Sequence, residues 1–155
     1  MSSQVISQRG IALEAWIRFL RTHAAVTRQF NAELLETHDL TLNDFDVLAQ
    51  LARGPEHGLK RSELAERVLL TPSGITRLLD GLERAGYVRK GECEYDARVT
   101  YAVLTDEGSQ KLREASKTHL ASVRALLAER FTEHELEQLA ELLGRLPMRA
   151  DADCT

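Results

Sequence analysis

Residues 71–86 read TPSGITRLLDGLERAG. At 100° per residue, Ile75, Leu78, Leu79 and Leu82 share one narrow stripe. Ser73, Arg77, Asp80 and Arg84 take the opposite side, with Thr76 on the flank. Hydroxyls reach phosphates or bases, and an arginine offers guanine a bidentate fork. Thr71 is placed as the N-cap and Pro72 at the first helical position, where its missing N–H costs nothing. The free N–H groups and positive dipole end of such a helix suit a phosphate. The candidate chemistry is therefore contact with double-stranded DNA through Thr71, Ser73, Thr76, Arg77 and Arg84, with Arg61 from the preceding segment. A merely solvated helix face has the same composition, and Arg77 could simply pair with Asp80 at i,i+3. What favours DNA is the succession of a short helix, a tight turn, this helix, a basic strand and a polar hairpin.

Other chemistries find little support. The sequence has no GxSxG, no glycine-rich phosphate loop and no HExxH, and its carboxylates are scattered, so no enzyme is expected. The histidines are His23, His38, His57, His119 and His134; no two stand at i,i+3 or i,i+4 and no cysteine adjoins them, so no metal or other cofactor is expected. Cys93 and Cys154 form neither a framework nor a CxxC. Cys93 lies near Arg89 and Lys90 but beside Glu92 and Glu94, whose charges pull its pKa in opposite directions. Cys154 lies on the tail and is expected to be inert.

The elements that must position the arginine face follow from periodicity. A long helical pattern runs over about 8–37, with Ile11, Ala15, Trp16, Phe19, Leu20, His23, Phe30 and Leu34 at spacings of three, four or seven. Some 30 residues of helix measure about 45 Å, more than one small domain needs, so part of it is expected to meet another chain. His38-Asp39-Leu40 breaks the pattern. Thr41 then caps a second helix, with Asp44 in its first turn, a stripe of Phe45, Leu48, Ala49 and Ala52, and a stop at Gly54-Pro55. The segment EHGLK reads as a loop, and RSELAERV as a short helix with Leu64, Ala65 and Val68 inward. Gly86 stops the opening helix. Residues 87–90 and 99–104 read as two strands, with Val99, Tyr101 and Val103 on one face, joined by a polar hairpin loop. Thr105 caps a helix to about Arg130; Thr132 and Glu135 form a capping box for a last helix with Leu136, Leu139, Leu143 and Leu146 inward, ended by Pro147.

The expected fold class is mainly α with a small β-hairpin wing: a winged helix-turn-helix domain over 41–104, flanked by long dimerisation helices over 8–38 and 105–147. Residues 1–7 and 148–155 are expected to be disordered. The chain has 155 residues and a formal charge of −4, so it is no general polyanion binder and any DNA surface must be a local patch. From Lys60 to Arg98 there are eight basic and seven acidic residues, a net +1, so the acids must turn away for that patch to be positive. No signal peptide or run of roughly 20 apolar residues is evident, which suggests a soluble, cytoplasmic protein.

Two stretches, LKRSELAERVLLTPSGITRLLDGLERAGYVRK at 59–90 and DARVTYAVLTDEG at 96–108, resemble the MarR family, the multiple-antibiotic-resistance regulators. The second carries the family pattern at its spacing: Asp96, Arg98, Leu104, Thr105 and Gly108. The resemblance implies a homodimeric, sequence-specific transcriptional regulator. Its first and last two helices would intertwine, and its two recognition helices would sit about one DNA turn apart on a pseudo-palindromic operator. It also implies that Arg98 at the wing tip enters the minor groove while Asp96 braces it; a narrow minor groove does attract an inserted arginine. The wing departs from many relatives in being acidic, with Glu92 and Glu94 ahead of the Asp-x-Arg.

Members of the family commonly respond to small aromatic or phenolic compounds, so the expected regulator is a repressor released by such a ligand. The resemblance would recruit Trp16, Phe19 and His23 from the first helix, Asp44, Phe45 and Leu48 from the second, and His119 from the fifth. The aromatic residues suit ordinary core or dimer packing even better, and the two histidines would then be core histidines. Two alternatives stand beside this reading: a winged-helix protein-interaction module without DNA affinity, suggested by the acidic wing, and a redox-responsive regulator acting through Cys93.

Overall fold

The computed structural model describes residues 2–68, 70, 72–93 and 95–146, with the side chains of all of these except 2–9 and 72. The chain divides into two compact units, Met1–Leu42 and Asn43–Thr155. The first is built on α1 (Ser2–His38), which spans about 55 Å. It begins at Ser2 rather than at Gln8, so residues 2–7, expected to be disordered, are helical. That segment holds neither proline nor glycine, and a helix already nucleated downstream extends at little cost. At the other end Asp39 adopts φ 53, and Leu40 N–H donates to Leu34 O at 3.3 Å, a left-handed helix ending with aspartate in the position usually held by glycine. Asn31 Oδ1 accepts from Leu42 N–H at 2.9 Å and steadies the turn. Phe30, Leu34 and Leu40 are buried, whereas Ile11, Trp16, Phe19 and Leu20 stay exposed.

The second unit carries α2 (Leu42–Arg53), β1 (Leu59–Lys60), α3 (Arg61–Arg67), α4 (Pro72–Arg84), β2 (Val88–Glu92), β3 (Thr100–Leu104), α5 (Asp106–Ala128) and α6 (Glu133–Leu143). Its core is formed by Val47, Leu48, Leu51, Leu59, Leu64, Ile75, Leu79, Leu82, Val88 and Val103. Ala52, expected in the α2 stripe, is exposed, and Val47 and Leu51 take the inward positions. The antiparallel sheet has the order β1-β3-β2, not the two strands expected. The residues read as a loop supply β1, pairing Leu59 with Ala102 and Lys60 with Tyr101. Gly58 makes the approach possible. At φ +93, any Cβ there would lie 2.1 Å from Ala102 O.

The caps of the last two helices are those anticipated. Thr105 Oγ1 accepts from Gly108 N–H at 3.0 Å, while Thr132 and Glu135 exchange the two bonds of a capping box. The apolar stripe of α6 departs from expectation. Leu136 and Leu139 are only half-buried, Leu143 and Leu146 are exposed, and no described residue of α6 is buried in the single chain. A periodic stripe marks a face that must be covered, not the molecule that covers it. Pro147 and the tail lie outside the described residues.

Candidate nucleic-acid interface

α3 is capped by Glu63, whose Oε2 accepts from Lys60 N–H at 2.7 Å. The chain leaves α3 through Leu70 N–H, bonded to Ala65 O at 3.0 Å, and re-enters helix at Pro72. Thr71 lies outside the described residues. Ile75, Leu79 and Leu82 are buried, so α4 is clamped by its leucine side. Ser73, Arg77, Asp80 and Arg84 are exposed and Thr76 is half-buried, as the periodicity requires. Arg61 Nη1 donates to Thr76 Oγ1 at 3.4 Å, bringing two of the sequence-predicted residues together across the turn. Among the described residues no ion pair joins Arg77 to Asp80; the guanidinium is exposed and uncommitted to that carboxylate.

Two of the acids that clouded the charge count have other tasks. Glu63 caps α3, and Glu83 Oε2 lies 3.8 Å from Lys90 Nζ, linking α4 to β2. Glu92 is exposed, and Glu94 lies outside the described residues.

The wing turn is ordered around one carboxylate. Asp96 Oδ1 accepts from Arg98 N–H at 3.0 Å and from Arg98 Nε at 3.2 Å, while Asp96 O accepts from Val99 N–H at 3.0 Å. The brace thus engages Nε of a side chain that is 92% exposed. An arginine pre-set in this way loses less rotamer freedom when it enters a groove. On the same turn Tyr95 is 95% exposed, a residue the sequence reading passed over. Its neighbours are polar and no periodicity points to it, so only its position on a braced loop draws notice.

Cys93 is a free thiol whose pKa is held below its ordinary value by hydrogen bonds from the backbone of Tyr95 and Asp96, with Tyr101 adding a side-chain bond. The cause is the wing turn itself rather than Arg89 or Lys90, the basic residues nearest in sequence. Burial and the facing thiol push Tyr101 up, and its ring meets His57 edge-on at 5.2 Å. Cys154 lies outside the described residues. Among the described residues no three His, Cys, Asp or Glu side chains gather to hold a metal ion.

The residues named for a ligand fall into both units. On α1, Trp16 stacks on Phe19 at 6.2 Å and Phe19 on His23 at 6.3 Å, an exposed ladder rather than a core, so His23 is not a core histidine of this chain. In the second unit Phe45 and His119 face each other at 4.9 Å, both half-buried; Leu48 is fully buried, and Asp44 sits in the first turn of α2.

Comparison with known proteins bears on the family and the fold. Residues 38–99 match the model of the MarR family. The regulator PecS of Dickeya dadantii, an HTH-type transcriptional regulator, is 32% identical over 115 residues, covering 74% of this chain and 69% of that one. The chain belongs to the MarR family. A MarR family transcriptional regulator from Streptomyces coelicolor, solved in complex with DNA, superposes with a TM-score of 0.77 at 27% identity, covering 90% of each chain. CouR from Rhodococcus jostii, solved bound to p-coumaroyl-CoA, superposes with a TM-score of 0.67 at 26% identity, covering 82% of this chain and 88% of that one. The architecture is that of the MarR winged-helix regulators: mostly helical, with a small antiparallel sheet. No helix among the described residues is long and apolar enough to cross a membrane.

Proposed function

We propose that this MarR-family protein is a homodimeric repressor that binds a pseudo-palindromic operator and is released by a small aromatic or phenolic ligand. The observation that carries the DNA-binding part is the coincidence of two exposed basic features in one unit: the Ser73/Arg77/Arg84 face of α4 and the Asp96-braced Arg98 of the wing. In this reading α4 enters the major groove N-terminal end first, and Arg98 enters the adjacent minor groove. The Streptomyces coelicolor relative in its DNA complex supports the assignment. Titration onto DNA from immediately upstream of its own gene, at two salt concentrations and against random DNA, tests it. Tight, selective, salt-weakened binding is expected; equal weak binding to both DNAs argues against an operator there. A protein-interaction module in place of a DNA reader would bind neither DNA and would be indifferent to charge reversal at Arg77 and Arg98.

The homodimer reading is supported by what a single chain leaves uncovered. Ile11, Leu13, Trp16, Ile17, Phe19 and Leu20 are exposed on α1, and Leu142, Leu143 and Leu146 at the end of α6. Apolar faces of this kind mark interaction surfaces. Sedimentation of the free protein at the mass of two chains is expected.

The ligand class is supported by the Phe45–His119 ring pair beside Asp44, an aromatic wall with polar neighbours, and by the phenolic thioester held by CouR. Release requires only that the ligand bind a DNA-incompetent arrangement better than the competent one. Cys93 favours a second, redox reading. Hydrogen peroxide would transfer one oxygen to the thiolate, giving sulfenate and water, at a sulfur hydrogen-bonded to the turn that holds Arg98. Loss of DNA binding with peroxide, absent in Cys93→Ser and reversed by a dithiol, distinguishes it from ligand release.

A further inference from the structure

The Leu-Thr and Gly of the wing motif are Leu104, Thr105 and Gly108, and Thr105 bonds through both its backbone and its side chain. Its N–H donates to Tyr87 O at 3.1 Å. Its Oγ1 donates to Gly86 O at 2.6 Å and accepts from Gly108 N–H at 3.0 Å. Gly86 and Tyr87 form the exit from α4: Gly86 stands at φ +82, and Tyr87 N–H donates to Leu82 O at 3.0 Å. Gly108, buried in the first turn of α5, lies so close that a Cβ on it would sit 2.1 Å from Tyr87 O. One hydroxyl thus joins the end of α4, the end of β3 and the start of α5.

We propose that this knot fixes the angle between α4 and α5, and that Thr105 is a positioning residue for DNA reading. The inference rests on the function proposed above, in which α4 enters the groove, and on the sequence expectation that α5, within residues 105–147, belongs to the dimer-forming part. Its physical basis is leverage. The knot grips the C-terminal end of α4, while Ser73 stands at the far end of a helix about 20 Å long, with Thr76 and Arg77 nearer its middle. A pivot of about 10° at the knot displaces that end by roughly 3 Å, close to the rise of one base pair. Two recognition helices that must meet two half-sites together cannot absorb such a displacement, whereas a single half-site can.

The test is operator-spacing preference. DNA selected by the wild-type protein from a random pool is rebuilt with one base pair inserted or removed between half-sites. Thr105→Val keeps the branched shape and removes both hydroxyl bonds; Thr105→Ser keeps the hydroxyl. Wild type and Thr105→Ser are expected to discriminate strongly against the altered spacings. Thr105→Val is expected to lose about tenfold in affinity at the preferred spacing and to bind all three spacings within about twofold of one another. Wild-type affinity with wild-type spacing preference in Thr105→Val overturns the proposal, as does an equal loss at every spacing, which marks a purely structural role. If Thr105→Val does not fold, amide exchange in the wild type decides: exchange of Gly108 N–H slowed about tenfold by DNA supports the knot, and unchanged exchange overturns it. Failure of the wild type to select any DNA is read separately, because it removes the proposed function itself.

Discussion

Lys90 and Glu83 stand 3.8 Å apart, nitrogen to oxygen, and tie the basic strand of the wing to the back of α4. The pair is partly exposed, so its contribution to stability is small. A larger effect on DNA binding is expected, because Glu83 partly neutralises Lys90 on the strand that leads into the wing. Replacing it by glutamine frees that charge. Glu83→Gln is expected to strengthen binding to random DNA several-fold at low salt and to steepen the dependence of log affinity on log salt by about 0.9. Equal slopes for the two proteins in a salt titration would show that Lys90 does not reach the phosphates.

Arg98 and Asp96 separate contact from positioning. Arg98→Ala removes the wing charge and is expected to weaken operator binding about 10- to 100-fold, with a salt slope shallower by about 0.9. Asp96→Ala leaves Arg98 in place but removes the acceptor for its backbone N–H and its Nε. It also removes a negative charge, so affinity for random DNA rises while operator affinity falls. The ratio of operator to random-DNA affinity reports the brace; an unchanged ratio in Asp96→Ala would mean that Arg98 needs no holding.

The parts of this interface written locally were legible in the sequence, and those written by distant pairing were not. The buried stripe of α4, the Thr105 cap and the Thr132/Glu135 box depend on residues within one or two turns, so spacing alone reveals them. β1 is two residues long and exists because Leu59 and Lys60 meet Ala102 and Tyr101, some forty positions away; Gly58 was its only local trace. Leu143 and Leu146 were read as inward because periodicity identifies an apolar face without naming its cover. The depressed pKa of Cys93 was equally hidden. Flanking charges set an ambiguous expectation, whereas backbone N–H groups of a folded turn decide the direction.

That thiol gives a pH-dependent prediction. The turn stabilises the thiolate, so the folded pKa lies below the ordinary value of 9.0. The rate of Cys93 alkylation by iodoacetamide should therefore reach half its alkaline plateau at lower pH in the native protein than in the denatured chain. Tyr101→Phe removes one of the donors and should move the midpoint upward while leaving the two backbone bonds in place. Coincident curves for native and denatured protein would show that the turn does not hold the thiolate.

Asp46 carries the opposite sign. Burial on α2 raises its pKa above 3.8, only partly offset by a hydrogen bond from Gln50 and the charge of Arg53. A raised folded pKa means that the native state binds the proton more tightly than the unfolded chain, so stability falls as pH rises from the unfolded value through the folded one. At neutral pH the ionised carboxylate is therefore a liability. Asp46→Asn keeps an oxygen to accept from Gln50 and removes the charge. It is expected to raise Tm at pH 7 by about 1–3 °C, an advantage that shrinks as pH falls towards about 4. Thermal melts of both proteins across that range provide the check. A variant less stable than wild type at pH 7 would mean that the attraction of Arg53 outweighs the cost of burial.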